Sequence, residues 1–150
     1  MTDRATSRDV AADVAALLRS RTPLLWVVSR EEARAEGYLF EAAASAGYTP
    51  HAWDVAQGVT NLAGKPERIG GPDPGETLTA IMERARVTSG GERGVWIMRD
   101  LPPWLTGPAG MTTCRQVRNL ARLLPGVPRD SAQALIVLST EANVPPELAG

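Results

Sequence analysis

The sequence predicts an α/β fold, a three-layer parallel sheet with helices on both faces. Three observations support it. Short apolar runs, Leu24–Val28, Val95–Met98 and Ala134–Leu138, are rich in β-branched and aromatic residues, as in strands buried on both sides. Segments with apolar residues at helical spacing alternate with these runs. The connections are long enough to hold crossover helices, which parallel strands require.

From Ser7 to Arg19, Val10, Val14, Leu17 and Leu18 mark one face of an amphipathic helix that ends at Arg21-Thr22-Pro23. Leu24–Val28 follows as the expected central strand. A second helix is expected from Ser29, with Ala35, Leu39, Ala42, Ala43 and Ala46 on one face and Gly47 as its stop. Thr49–Trp53 reads as a short strand, and Pro50 argues for an edge or entry position. Asp54 to Gly75, dense in Gly and Pro, reads as a long mobile loop. A third helix is expected from Pro74 or Glu76 to Val87, ending before Gly90-Gly91. After the strand at Val95, a loop over Leu101–Thr112 carries Trp104. A helix over Thr113–Leu124 sets Val117, Leu120, Ala121 and Leu124 on one side and Arg115, Arg118 and Arg122 on the other. Pro125-Gly126 breaks it, and a polar tail follows the last strand from Ser139.

At 150 residues the chain suits one domain that removes about two-thirds of its unfolded surface from water. The net charge of −1 offers no general attraction to polyanions, so nucleic acid is not the expected partner. All but Lys65 of the 16 basic residues are arginine. The single cysteine, Cys114, cannot form an internal disulfide, and the polar first twenty residues hold no signal core, which predicts a cytoplasmic setting. No apolar stretch approaches the roughly 20 residues of a membrane span.

Phosphate loops work by leaving backbone N–H groups free at a helix start, with glycines allowing close approach and a lysine adding charge. After Val28 the chain reads Ser29-Arg30-Glu31-Glu32 instead. This predicts a capping box, with Ser29 as cap and Glu32 returning the bond, and two carboxylates that repel phosphate. The carboxylates could alternatively bind a cation or a basic partner. Gly64-Lys65-Pro66 lacks the following Ser or Thr and a preceding buried strand. Asp100 ends an apolar strand, where it could hold Mg²⁺ near a nucleotide or simply cap the turn into Pro102-Pro103. The Arg115, Arg118 and Arg122 stripe could reach phosphates or an acidic partner, or be only a solvated face. Trp26 and Trp96 read as core. Trp53 and Trp104 border loops, where each could anchor a partner or lie buried. His51 and Cys114, the sole histidine and cysteine, cannot assemble a zinc site, and no Gly-x-Ser-x-Gly elbow is present. No catalytic residue and no metal site is expected.

Arg21-Thr22-Pro23-Leu24 through Ser29-Arg30-Glu31-Glu32, the Trp53-Asp54 pair with Val55 and Gly58, the strand ending at Asp100, and Val144-Pro145-Pro146-Glu147-Leu148 together resemble a known pattern. It is the N-terminal region of bacterial and plastid AAA+ ATPases similar to the hypothetical chloroplast open-reading-frame ATPases, with distant similarity to the ATPase part of membrane-bound AAA proteases. The resemblance covers nearly the whole chain. It implies a P-loop NTPase-like (AAA+-like) domain without a functional phosphate loop, over residues 1–150, as the N-terminal part of a longer ATPase. On this resemblance Leu24–Val28 matches the strand before the phosphate loop, Val95–Asp100 the acidic Walker B strand, and Ser139 or Thr140 the sensor position. The chain ends soon after Pro-Pro-Glu-Leu, where the family continues, so a truncated piece or a small stand-alone derivative is expected. ATP and Mg²⁺ are implied for the parent family and no cofactor for this segment. The expected role is a non-catalytic module for assembly, partner binding or regulation, working through a protein partner or a homo-oligomer. The alternative is a weak nucleotide-binding subunit that contributes Asp100 or the arginine stripe to a neighbouring ATPase site.

Overall fold

The computed structural model describes residues 3–88, 90–141 and 148, with side chains from residue 10 onward. Five strands and four helices follow one another as α1 (Asp3–Arg19), β1 (Leu24–Val28), α2 (Glu32–Ser45), β2 (Thr49–Asp54), β3 (Gly58–Thr60), α3 (Pro74–Ala85), β4 (Gly94–Arg99), α4 (Gly107–Leu123) and β5 (Gln133–Ser139). They form one sheet in the order β1-β5-β4-β2-β3, in which only the β2–β3 pair is antiparallel.

The predicted three-layer α/β architecture is the one observed, a mostly parallel, P-loop NTPase-like sheet with helices on both faces. The pleat produces the layers. Along β4 and β5, Val95, Ile97, Ala134, Ile136 and Leu138 face α1 and α2, while Trp96, Met98, Leu135 and Val137 face α3 and α4. Both strands are buried on both sides, which is why they read as unbroken apolar runs. Fully burying a side chain such as Ile97 or Ile136 contributes roughly 1.5–3 kcal/mol. The helices divide between the faces because the chain reverses its direction of travel. It passes from β1 across the sheet to β2 through α2, then steps back through β4 to β5, and right-handed crossovers in opposite directions lie on opposite faces.

Several expectations are corrected. Leu24–Val28 is not the central strand: among the described residues it pairs with β5 alone. Leu24 to Val27 are half-buried and Val28 is exposed, so an unbroken apolar run here marks an edge. Trp26 is accordingly half-buried rather than core, and its Nε1 has no hydrogen-bond partner among the described residues. Of the two positions Pro50 suggested, the entry is the one observed: it is the second residue of β2, which is not an edge strand along its whole length. β3 reaches only Ala52 to Asp54, so the level of Pro50 has β4 as its sole neighbour and the missing N–H is tolerated.

Asp54–Gly75 is not one loose loop. It contains β3, a turn in which Asn61 Oδ1 accepts from the amides of Ala63 and Lys65, and a return pairing of Thr60 with Pro66. Trp53, almost wholly buried, donates from Nε1 to Gly71 O at 2.9 Å and ties the end of this segment to the sheet. The helix expected from Thr113 begins at Gly107 instead, with Pro108 in its first turn and a 3-10 turn over Pro102–Leu105 before it. α4 was hidden there because Gly107, Pro108 and Gly110 read as loop. Gly110 is needed for contact, since a Cβ there would stand 2.7 Å from the carbonyl carbon of Leu105. Pro145, Pro146 and Glu147 of the Pro-Pro-Glu-Leu piece lie outside the described residues, and Leu148 packs against the α3/α4 side of the core.

Candidate functional site: the carboxyl ends of the strands

α2 leaves β1 on one face, while the 3-10 turn and α4 leave β4 on the other. Their divergence opens a cleft above the end of β5, where open α/β sheets bind their ligands. The cleft measures about 460 Å³ and is lined by Asp100, Pro102, Pro103, Thr106, Ser139, Thr140 and Glu141. Thus Asp100, predicted from the end of a strand, and Ser139 and Thr140, predicted as sensor positions, come together.

Asp100 has a positive φ of 55°, which aspartate accepts more readily than most residues, and its amide donates to Leu138 O at 2.9 Å. Its side chain is exposed, and no hydrogen bond from it caps the Pro102-Pro103 turn among the described residues. Ser29 N–H donates to Ser139 O at 2.9 Å, and the Ser139 hydroxyl accepts from the Glu141 amide at 3.2 Å, so the β1 and β5 ends are stitched together beneath the cleft.

The predicted capping box at the start of α2 does not form. The helix starts at Glu32, its N-cap is Glu31, and that residue makes no side-chain capping bond. Ser29 Oγ accepts instead from the Glu31 amide at 3.1 Å, and Glu31 pairs with Arg34 at 3.2 Å. Ser29 and Glu32 lie on different sides of a non-helical bend, too far out of register for the reciprocal bond. The charge at this helix start is nevertheless negative, and no glycine or lysine lies between Leu24 and Glu36.

Beside it stands a group that the sequence did not single out. Arg99, at the end of β4, donates from Nε and Nη2 to the Glu36 carboxylate on α2 and from Nη1 to Asp54 at the end of β2. The hydrogen bond to Glu36 holds the guanidinium in its charged form against the opposing effect of burial, with further support from Asp54. Burial pushes the Glu32 carboxyl above its ordinary value; Arg99 pulls it down, and the like charges of Glu36, Asp100 and Asp54 push it up again. Four carboxylates therefore share the field of one guanidinium already committed to two of them. The register offered a signal: Trp53 is opposite Met98, so Asp54 and Arg99 are the next residues on neighbouring strands.

The other predicted residues lie elsewhere. Arg115, Arg118 and Arg122 follow the outer face of α4, with Arg115 and Arg122 exposed, Arg118 half-buried and no ion pair at any of them among the described residues. Trp104 sits in the 3-10 turn beside the cleft, 40% exposed, and Met111 on the first turns of α4 is 71% exposed. Trp53 is core rather than an anchor. His51 is buried, stacked on Trp96 at 4.1 Å and joined through Nδ1 to Glu67 Oε1 at 2.6 Å. Among the described residues no group of three or more His, Cys, Asp or Glu side chains is placed to hold a metal ion, and no helix is long and apolar enough to cross a membrane.

Comparison with known proteins adds one family. No match was found among curated proteins or among solved structures. The family model described as SpoVK-like AAA ATPase, N-terminal domain, matches residues 10–150. That match spans the sheet, the helices that cover it from Val10 of α1 onward and the cleft at its carboxyl ends, and the chain belongs to the N-terminal domain family of SpoVK-like AAA ATPases.

Proposed function

We propose that this domain is a non-catalytic module that serves the assembly or regulation of an AAA ATPase through protein contacts, in the cytoplasm. One observation carries the reading. The cleft where the fold would seat a triphosphate has Asp100 and Glu141 and no basic side chain among the described residues that line it, Glu32 at the start of α2 feels the charges of Asp54 and Asp100, and Arg99 is already bound to Glu36 and Asp54. A nucleotide site needs converging donors and positive charge, and this rim presents the opposite. ATP and Mg²⁺ belong, on this reading, to the ATPase that the module serves. The kinship with the chloroplast open-reading-frame ATPases rests on the Arg21–Arg34 segment and is part of the same proposal.

Trp104 on the 3-10 turn and Met111 on α4 are both exposed, and on this reading they supply apolar anchors of the kind that dominates protein contacts. The alternative is a weak nucleotide binder that lends a residue to a neighbouring ATPase site. It draws on the exposed Asp100 carboxylate and on the arginines of α4, which have no ion pair among the described residues. Calorimetric titration with Mg-ATP, combined with a turnover assay, separates the two. The module reading expects no saturable heat and no hydrolysis, and affinity in the micromolar range would move the case to the alternative.

A further inference from the structure

Helices α3 and α4 lie side by side on one face of the sheet. Gln116 ties α4 to the first turns of α3, donating from Nε2 to Gly75 O at 3.3 Å and to Thr79 Oγ1 at 3.2 Å. Beyond this tie a groove of about 360 Å³ opens over the last turns of both helices, lined by Met82 and Arg86 on one side and Asn119, Arg122 and Leu123 on the other. Met82 and Leu123 are half-buried and rest on the core, so the floor is apolar. Arg86, Asn119 and Arg122 stand exposed around it.

The two crests that flank this groove differ in sign. Arg115 and Arg122 share the outer face of α4 at helical spacing, and α4 has no acidic residue from Gly107 to Leu123. Glu76 and Glu83, both exposed, share the outer face of α3 in the same way. Glu83 lies close enough to Arg86 to offset part of its charge, but no acidic side chain among the described residues lines the groove itself. Arg84 is turned elsewhere, over the Trp96 ring and 3.8 Å from Glu92. Helix ends account for Arg86 and Arg122, since a cation complements the free carbonyls of a last turn. They do not account for Arg115, in the middle of α4 and without an ion pair among the described residues.

We infer that the α3/α4 groove is the docking site for an acidic amphipathic helix of a partner protein, its apolar stripe seated on Met82 and Leu123 and its carboxylates facing Arg115 and Arg122. This rests on the reading of the domain as an interaction module and names the partner's chemistry. Charge complementarity selects the occupant: an apolar floor beside an arginine crest matches a helix that carries leucine-like and acidic residues on adjoining faces. The glutamates of α3 select against a polyanion. A nucleic-acid backbone or an anionic bilayer laid across both crests would press its charge against Glu76 and Glu83, whereas a single helix in the groove can keep its carboxylates on the α4 side.

The probe is a fluorescent synthetic helix as long as α4, with leucine along one face and glutamate on the flanking positions, titrated with the whole chain and followed by anisotropy. The expected result is saturable binding at low salt that weakens about tenfold or more at about 0.5 M salt, and none for the same helix with lysine in place of glutamate. Arg115→Glu with Arg122→Glu should weaken binding at least about tenfold, and Glu83→Lys should tighten it about threefold. If the double variant melts early, Arg122→Gln replaces it, with a loss of about threefold. The amide signals of Met82, Asn119 and Leu123 should shift along the same titration. An acidic helix that does not saturate at low salt overturns the inference, as does binding that ignores the arginine variants or shifts confined to another surface. Tighter retention of a single-stranded oligonucleotide or of phosphatidylserine vesicles overturns it in favour of a polyanion or a bilayer. A chain that binds neither the acidic helix nor Mg-ATP defeats this inference alone. Micromolar Mg-ATP binding beside intact, arginine-dependent helix binding defeats the non-catalytic reading alone.

Discussion

Asp54 accepts from Arg99 Nη1 at 2.8 Å, and this contact closes the carboxyl ends of β2 and β4 against each other. The same guanidinium grips Glu36, so one side chain fastens α2 to two strands. Removing one partner of such a group leaves the others charged and poorly solvated. Arg99→Met should therefore cost about 2–4 kcal/mol, somewhat below the figure for a wholly buried pair because a fifth of the side chain reaches solvent. Urea unfolding at neutral pH would read it, and a loss below about 0.5 kcal/mol would contradict the clamp.

His51 and Glu67 make a second fastening, between β2 and the segment after β3. The Glu67 amide also donates to Val59 O at 2.8 Å, so the side-chain contact completes a local fold. Glu67→Ala should destabilise the protein by about 1–2 kcal/mol and open the chain near Gly64 and Lys65. Limited digestion with trypsin would show faster cleavage after the exposed Arg68 in the variant, while wild-type kinetics would reject the fastening.

Gly110 lets α4 approach the turn that carries Trp104. A Cβ at this position meets backbone atoms, the Trp104 oxygen at 2.9 Å among them, and backbone cannot swing aside. Gly110→Ala should therefore lower stability by about 1–3 kcal/mol, overriding the roughly 1 kcal/mol that alanine ordinarily adds within a helix. A variant as stable as wild type in thermal melts would show that the approach is looser than described.

The raised Glu32 carboxyl has a definite sign. In the folded protein it holds its proton more tightly than in the unfolded chain, so its contribution is favourable below the ordinary value of 4.5 and is lost as pH rises through the folded value. Glu32→Gln should be more stable than wild type at pH 7 by a few tenths of a kcal/mol, a small effect because the side chain is mostly solvated. The advantage should vanish by about pH 4. Denaturant midpoints of both proteins at the two pH values give the comparison, and an advantage that grew towards acid would have the wrong sign.

The sheet layers were legible because β4 and β5 are apolar on both faces, and composition alone reports that. The same rule misplaced β1, since an apolar run is also compatible with an edge: a one-sided neighbour leaves no mark in five consecutive residues. β3 was too short to rise above its glycines, and the first turns of α4 were masked by Gly107, Pro108 and Gly110, which serve a helix start and a close approach rather than a loop. In the cleft, Asp100 was reached from its place at a strand end and Ser139 and Thr140 from the family resemblance, and the lining includes all three. Glu36 and Arg99 could not be reached in either way, because 63 residues separate them and only the order of the strands brings them together. The Ser29–Glu32 capping box failed for a local reason: the motif fixes spacing but not the residue at which the helix begins.

The absence of a triphosphate site at the carboxyl ends is the claim from which the functional reading follows. The most direct measurement is an amide NMR titration with Mg-ATP, following residues 29–34, Asp100 and residues 139–141. The account predicts that these signals stay in place up to millimolar nucleotide. Saturable shifts confined to them, reproduced by the triphosphate but not by adenosine, would contradict it.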